Sequence, residues 1–185
     1  MPNIKPFRQY SEHNVLNGFF SVSGATLPFA KGTMVKITGS GWNAELSDPL
    51  QLGDVGNHFD GTVSQRFGVQ AFVGPANSGD FPIGMTLNDV REFDENGEKL
   101  VFNPGKAARM QAVISGQAVP ILTKGIVYYS GISTPVTGGD RAYIEDNGAI
   151  LNYIKITGVS PVPMQIGRFL GPKDSAGYAL LKLDL

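Results

Sequence analysis

The stretch Ile166-Gly167-Arg168-Phe169-Leu170 runs through Gly171-Pro172-Lys173-Asp174-Ser175-Ala176-Gly177 into Tyr178-Ala179-Leu180-Leu181-Lys182-Leu183-Asp184-Leu185. In its last part Ala179, Leu181, Leu183 and Leu185 alternate with Tyr178, Leu180, Lys182 and Asp184. Successive side chains of a strand point to opposite faces, so this is the pattern of a half-buried strand. With the Gly-Pro loop ahead of it, the stretch reads as a hairpin. A looser echo predicts the same hairpin shape a second time: Phe67-Gly68-Val69, then Gly74-Pro75-Ala76-Asn77-Ser78-Gly79, then an apolar strand over residues 83–87. It is too short for a solenoid repeat.

The same alternation extends outward from that end of the chain. Within residues 33–38, Val35 and Ile37 share one face while Lys36 and Thr38 take the other. Within residues 149–157, Ile150, Ile154 and Ile156 share a face with Asn152. Asn96-Gly97 and Asn147-Gly148 supply the paired positive-φ positions of type I′ hairpin turns. The first lies between Val90/Phe93 and Leu100-Val101-Phe102, the second between Tyr143-Ile144 and Ile150-Leu151. Pro75, Pro82, Pro104, Pro120, Pro161 and Pro163 belong at strand starts, edges or loops, because proline cannot donate to a central ladder. No window free of Gly and Pro exceeds 12 residues, so the chain has room for one or two short helices at most. The candidates are residues 12–16 behind a Ser11 cap and residues 106–110 after Pro104-Gly105. The fold class is therefore all-β, a small antiparallel β-barrel or sandwich. Residues 1–17 read as an extended N-terminal arm, and residues 18–185 as one domain.

Composition supports a packed core. Glycine and proline together fill 36 of 185 positions, yet 42 % of the residues are hydrophobic, which excludes a disordered chain. A chain of this length buries roughly 70 % of its extended surface and needs no staple. There is no cysteine, which removes disulfides, thiolate metal sites and thiol nucleophiles together. Net charge is −1 with basic residues scattered along the sequence, so nucleic acid is not an expected partner. The densest charge, residues 89–99, holds Asp89, Glu92, Asp94, Glu95 and Glu98 and reads as a solvated hairpin end. No apolar run reaches membrane-spanning length and the first residues carry no signal-peptide pattern, so a soluble protein made in a reducing cytosol is expected.

Catalytic groups are sparse. The two histidines are His13 and His58. His58-Phe59-Asp60 places an imidazole and a carboxylate on one side of an extended strand, but a zinc site needs a third ligand and none has a recognisable spacing. Nucleophile elbows, phosphate loops and dinucleotide fingerprints are missing, and Asp94-Glu95-Asn96-Gly97-Glu98 matches a calcium loop only in composition. The expectation is no enzyme, no cofactor and no bound metal. Trp42, in the turn-like Gly39-Ser40-Gly41-Trp42-Asn43, is the candidate ligand aromatic, against the plainer reading of a ring folded over a barrel end.

Four stretches follow one another in order: Tyr10-Ser11-Glu12-His13-Asn14-Val15-Leu16-Asn17-Gly18-Phe19-Phe20 with Lys31-Gly32-Thr33-Met34-Val35; Ser64-Gln65-Arg66-Phe67-Gly68-Val69 with Pro82-Ile83-Gly84-Met85-Thr86-Leu87; Asp94-Glu95-Asn96-Gly97-Glu98 with Ser115-Gly116-Gln117-Ala118-Val119-Pro120-Ile121-Leu122-Thr123-Lys124-Gly125; and Ile166-Gly167-Arg168-Phe169-Leu170 with Gly177-Tyr178-Ala179-Leu180-Leu181-Lys182-Leu183. Together they resemble the head decoration, or cement, proteins of tailed bacteriophages. The resemblance spans nearly the whole chain and rests on order and coverage, since none of these is a catalytic motif. It implies a structural virion protein on the outer capsid surface, made in the bacterial host cytoplasm. Its partner would be the major capsid protein, whose adjacent subunits it clamps, and it would act as a homotrimer. It implies a jelly-roll-like, β-tulip-like or other sandwich core, and no family active site is carried over. Phe7, Arg8 and Tyr10 are the expected capsid contacts, because an arm adds interface area and aromatics with Arg dominate interface energetics. Two other functions remain in play: a carbohydrate- or receptor-binding β-module using Trp42, and a metal-dependent β-sandwich hydrolase using His58.

Overall fold

The computed structural model describes residues 3–7, 9–21, 29–38, 72–114, 117–132, 134–152 and 164–185. Fourteen strands and one α-helix are assigned among them. They are β1 (Asn3–Pro6), β2 (Val15–Leu16), β3 (Phe20–Ser21), β4 (Met34–Thr38), β5 (Phe72–Pro75), β6 (Gly84–Thr86), β7 (Asp89–Val90), α1 (Pro104–Arg109), β8 (Ala112–Val113), β9 (Ile121–Leu122), β10 (Lys124–Ser130), β11 (Arg141–Ile144), β12 (Ile150–Leu151), β13 (Gln165–Phe169) and β14 (Ala179–Asp184). The first sheet has the order β1-β10-β14-β13-β11-β12 and is antiparallel throughout. The second has the order β2-β9-β6-β4-β5-β3, antiparallel except for the β3–β5 pair. β7 and β8 form a short parallel pair. The fold is all-β, as the alternation and turn chemistry predict.

The two large sheets share one core. Val127, Tyr129, Ile166, Phe169, Leu181 and Leu183 of the first sheet cluster with Met34, Met85 and Leu122 of the second. Burying a side chain of this kind stabilises the fold by about 1.5–3 kcal/mol each. The second sheet is also covered on its far side: Val35, Val73 and Ile121 pack with Val90 and Val113 of the small parallel pair. Both Met34 and Val35 are consequently buried, though they point to opposite faces. Two residues on, Ile37 is 41 % exposed and outside that cluster, although Val73 opposite it in the ladder is buried within it. The face shared by Val35 and Ile37 is thus buried at only one end.

The predicted hairpins divide. β13 and β14 pair as expected, with Ala179, Leu181 and Leu183 buried and Lys182 and Asp184 exposed, while Leu185 is exposed against the pattern. The first strand of the echo, residues 67–69, lies outside the described residues, and its Gly74-Pro75 falls at the end of β5, which does not pair with β6. β5 and β6 both pair with β4 and lie on opposite sides of it, so the loop between them crosses over a strand. At Asn147-Gly148 both residues have positive φ, as a type I′ turn requires, and Ile144 pairs with Ile150. At Asn96-Gly97 only Gly97 has positive φ, and the flanking pairing shrinks to one Phe93–Lys99 bridge. Leu100–Phe102 is a 3₁₀ turn rather than the expected strand.

That turn uses a device seen again at residue 174. The Asp94 N–H donates to the Glu98 carbonyl (2.9 Å), and Asp94 Oδ1 accepts the N–H groups of Asn96 and Glu98 (2.8 Å each). The Asp174 N–H donates to the Tyr178 carbonyl (2.8 Å), and Asp174 Oδ1 accepts from Ala176 (2.9 Å) and Tyr178 (2.8 Å). Asp-x-x-Gly is therefore the turn unit common to both loops. Such aspartates are favoured in turns because the short carboxylate satisfies nearby backbone donors.

Of the helix candidates, residues 12–14 form a 3₁₀ turn without a Ser11 side-chain cap, and Val15–Leu16 is a strand. α1 begins at Pro104, with the Asn103 side chain accepting the Lys106 N–H. Pro104 fits there because the first helical N–H has no partner to lose.

Residues 1–17, expected as an arm, dock within the sheets over their described part. β1 is the edge strand beside β10, Ile4 enters the main core, and β2 pairs with β9. Between these two strands residues 12–14 form the 3₁₀ turn.

Lys106 ties α1 back to the turn that precedes it. Its ammonium pairs with Asp94 Oδ2 and with Glu95 Oε1 (3.2 Å), and the Asp94 side chain is 1 % exposed. The Lys106 hydrogen bond, with the Glu98 and Asn96 N–H groups, holds the Asp94 carboxyl below its ordinary value. A depressed carboxylate contributes stability that is complete above its unfolded pKa, about 3.9, and is lost as pH falls through the lowered folded value. Asp94→Asn should therefore lower the thermal midpoint at neutral pH and lose that deficit well below pH 4, as followed by circular dichroism. A deficit unchanged down to acid pH would show that the ion pair is not its source.

Candidate functional site

The outer face of the first sheet gathers what the sequence scatters. In the ladder Ile126 lies opposite Lys182, Lys182 opposite Arg168, and Arg168 opposite Arg141. Directly opposed residues point to the same face, so three cations stand side by side on β14, β13 and β11. Strand spacing of 4.7–4.9 Å makes this row about 10 Å long. All three side chains are exposed, and none takes part in an ion pair among the described residues. The nearest acid along β14, Asp184, is committed to Lys124 at 2.7 Å. That lysine holds its carboxyl below the usual range, and Lys182 adds a smaller effect.

Like charges placed directly opposite one another destabilise a sheet by roughly 0.2–1 kcal/mol a pair. Packing alone has no use for such a row. A partner carrying carboxylates or other anions would relieve it.

Next to the row runs an aromatic strip. Lys5, Tyr128 and Leu180 occupy one rung across β1, β10 and β14. The Phe7 ring lies against Tyr128 with centroids 5.6 Å apart, and both rings are partly exposed. Lys5 Nζ sits 4.3 Å over the Tyr178 ring, whose hydroxyl accepts from Asn3 Nδ2 at 3.4 Å. Strip and row form one surface of mixed aromatic and basic character, the composition favoured where proteins meet.

The expected contacts are placed as follows. Phe7 belongs to this strip. Tyr10 turns inward: its hydroxyl donates to the Ile126 carbonyl at 2.8 Å, and its ring lies on Gly125, where an added Cβ would come within 2.9 Å of it. Burial pushes its phenol upward. Tyr10 therefore fastens the N-terminal segment to β10. Arg8, Trp42 and His58 lie outside the described residues. His13 sits exposed in the 3₁₀ turn. Among the described residues no group of three or more His, Asp or Glu is placed to hold a metal, and no helix is long and apolar enough to cross a membrane.

Sequence reasoning missed Arg141, Arg168 and Lys182. Lys182 is an outward position in an alternating stretch, and that much is readable, whereas β11 and β13 do not alternate and their ladder shifts register at Ala142/Tyr143. The alignment of the three cations depends on the register of three strands, which spacing along the chain does not carry.

A second exposed feature is a shallow groove of about 660 Å³ bounded by Lys36, Ile37, Asp80 and Phe81. Phe81 is 82 % exposed at its edge, and Lys36 pairs with Asp80 at 2.7 Å. The charge here is internally matched, in contrast to the basic row.

No protein-family model matches the chain, and a search of curated proteins finds no match.

Proposed function

We propose that this chain is a head decoration protein of a tailed bacteriophage, a structural protein of the outer capsid surface that clamps neighbouring major capsid protein subunits. The single observation that carries the reading is the unpaired row Arg141-Arg168-Lys182 beside exposed aromatics on one sheet face. The ordered resemblance along the chain adds to it. A stable docking of this kind buries roughly 1,200–2,000 Å², and closed symmetry lets one patch be used three times in a homotrimer. The virion surface is the proposed location, after synthesis in the host cytoplasm. The capsid surface that receives the row is acidic.

The docked N-terminal strand changes which test is informative. Removing residues 1–10 takes Ile4 from the core and a strand from the sheet edge, so lost binding there would say nothing about contact. Arg168 and Lys182 are exposed and take part in no ion pair among the described residues, so neutralising them is expected to leave the fold intact. Arg168→Gln/Lys182→Gln is expected to weaken binding to undecorated expanded heads about tenfold or more, at 1.4 kcal/mol per decade. Its own thermal midpoint should stay level or rise as repulsion is removed. Wild-type binding should reach one copy per capsid subunit, raise the heads' thermal stability, and weaken with salt. A wild-type protein that ignores heads at low salt would end the decoration reading. Full binding by the neutralised variant would move the contact off this face.

A further inference from the structure

The chain contains three Asn-Gly dipeptides, Asn17-Gly18, Asn96-Gly97 and Asn147-Gly148, in three different environments. We propose that Asn96 is a site of spontaneous covalent modification in the folded protein, converting to aspartate and isoaspartate, while Asn147 is protected. The reaction needs no enzyme. The Gly97 backbone nitrogen gives its proton to solvent and attacks Asn96 Cγ. The bond from Cγ to the side-chain nitrogen breaks, and ammonia leaves with a proton returned by water. The resulting five-membered succinimide takes up one water at either carbonyl, giving aspartate or isoaspartate. One water is consumed, one ammonia is released, and nothing is oxidised or reduced.

The step requires a glycine N–H free of strong hydrogen bonds and a backbone able to swing toward the asparagine side chain. Glycine favours it because no Cβ hinders the approach. At the Asp94 turn Asn96 and Gly97 are both exposed, and the Gly97 N–H reaches the Asp94 carbonyl at a long 3.3 Å. A Cβ built at Gly97 would meet nothing within 4 Å, so nothing packs over the turn, and the Asn96 and Glu98 N–H groups on either side are held by the Asp94 carboxylate of the same turn rather than by a distant strand.

At Asn147-Gly148 each requirement fails. Gly148 is buried, and its N–H donates to the Ala76 carbonyl at 2.7 Å. A Cβ there would come within 2.4 Å of Thr33 Cγ2 and 2.5 Å of the Met34 carbonyl, which shows how closely the turn is held against β4. The Asn147 N–H also donates to Asn77 Oδ1 at 3.1 Å. At Asn17-Gly18 the glycine is half-buried and the chain is held on both sides. The Asn14 carbonyl accepts the Thr123 N–H, and the Phe19 carbonyl accepts the Val119 N–H. Bending back there disturbs two strands.

The product alters a structural joint. Isoaspartate adds one backbone atom between the two N–H groups that Asp94 Oδ1 accepts, and either product adds a negative charge beside Asp94 and Glu95. The joint between Lys106 and Asp94 loosens as the protein ages.

The test incubates the full-length folded protein at mildly alkaline pH and maps its peptides by mass spectrometry over time. Isoaspartyl methyltransferase labelling identifies the isomer. Conversion at Asn96 should run about tenfold or more faster than at Asn147, since opening a buried hydrogen-bonded turn must precede reaction there. In denaturant the three sites should convert at similar rates, and Asn96→Gln should remove the early isoaspartyl signal. Conversion of Asn147 or Asn17 at the rate of Asn96 in the folded protein would overturn the proposal. So would an Asn96 that stays intact while denatured chains convert.

Discussion

Gly167→Ala is expected to destabilise the protein by about 3 kcal/mol or more, beyond the usual cost of overpacking. Gly167 lies within β13, paired on one side with Ala142 and on the other with Leu183. A Cβ there would stand 2.0 Å from the Lys182 carbonyl oxygen and 3.0 Å from its carbon. Both are backbone atoms, so no rotamer change relieves the clash. The strands must separate, and the hydrogen bonds that join β13 to β14 weaken with them. For a chain of this size each kcal/mol moves the thermal midpoint by about 2–4 °C, so a fall of about 6–12 °C should be read by calorimetry. Gly171→Ala supplies the control, because a Cβ at Gly171 meets nothing within 4 Å. Equal midpoints for the two variants would mean that β13 and β14 do not pack as closely as described.

Phe169→Ala should cost about 3–5 kcal/mol, the range for deleting a fully buried aromatic ring. The ring is completely buried in the core shared by the two sheets. The backbone of Phe169 donates to the Asp140 carbonyl and accepts from the Gly139 N–H, both at 2.8 Å, and these bonds survive the substitution. What is lost is therefore the ring and the cavity it leaves. Phe81→Ala, removing a ring that is 82 % exposed, should stay within about 0.5 kcal/mol of wild type. Denaturant unfolding of the pair decides the matter: a Phe169→Ala loss as small as that of Phe81→Ala would place the ring outside the core.

The parts of the fold that were legible are those where local chemistry and tertiary packing agree. Ala179, Leu181 and Leu183 alternate because β14 has one core face and one solvent face. Asn147-Gly148 turns as its residues prefer, and its distant contacts with Ala76 and Asn77 fit that turn. Elsewhere the wider structure outweighed the local signal. Ile37 breaks its pattern, left exposed while Val35 on its own strand and Val73 opposite it are buried. Gly74-Pro75 resembles a hairpin locally, yet β4 intervenes between the strands it joins. Residues 3–6 have two nearby prolines and no clean period, so their place beside β10 could not be read. The Asp-x-x-Gly unit could have been found, since Asp94-Glu95-Asn96-Gly97 and Asp174-Ser175-Ala176-Gly177 share it in plain sight. The basic row could not, because it exists only once three distant strands are in register.

The position of β10 also sets a timetable for synthesis. It holds β1 on one side and β14 on the other, and Ser130 Oγ bonds the Asn3 carbonyl across 127 residues of sequence. At about 5–20 residues per second, β1 waits roughly 6–25 s on the ribosome before its partner strand is made. During that interval Ile4 has no core to enter. β1 is thus translated well before it can be seated, and the nascent chain carries an unpaired, partly apolar strand until the sheet around β10 is complete.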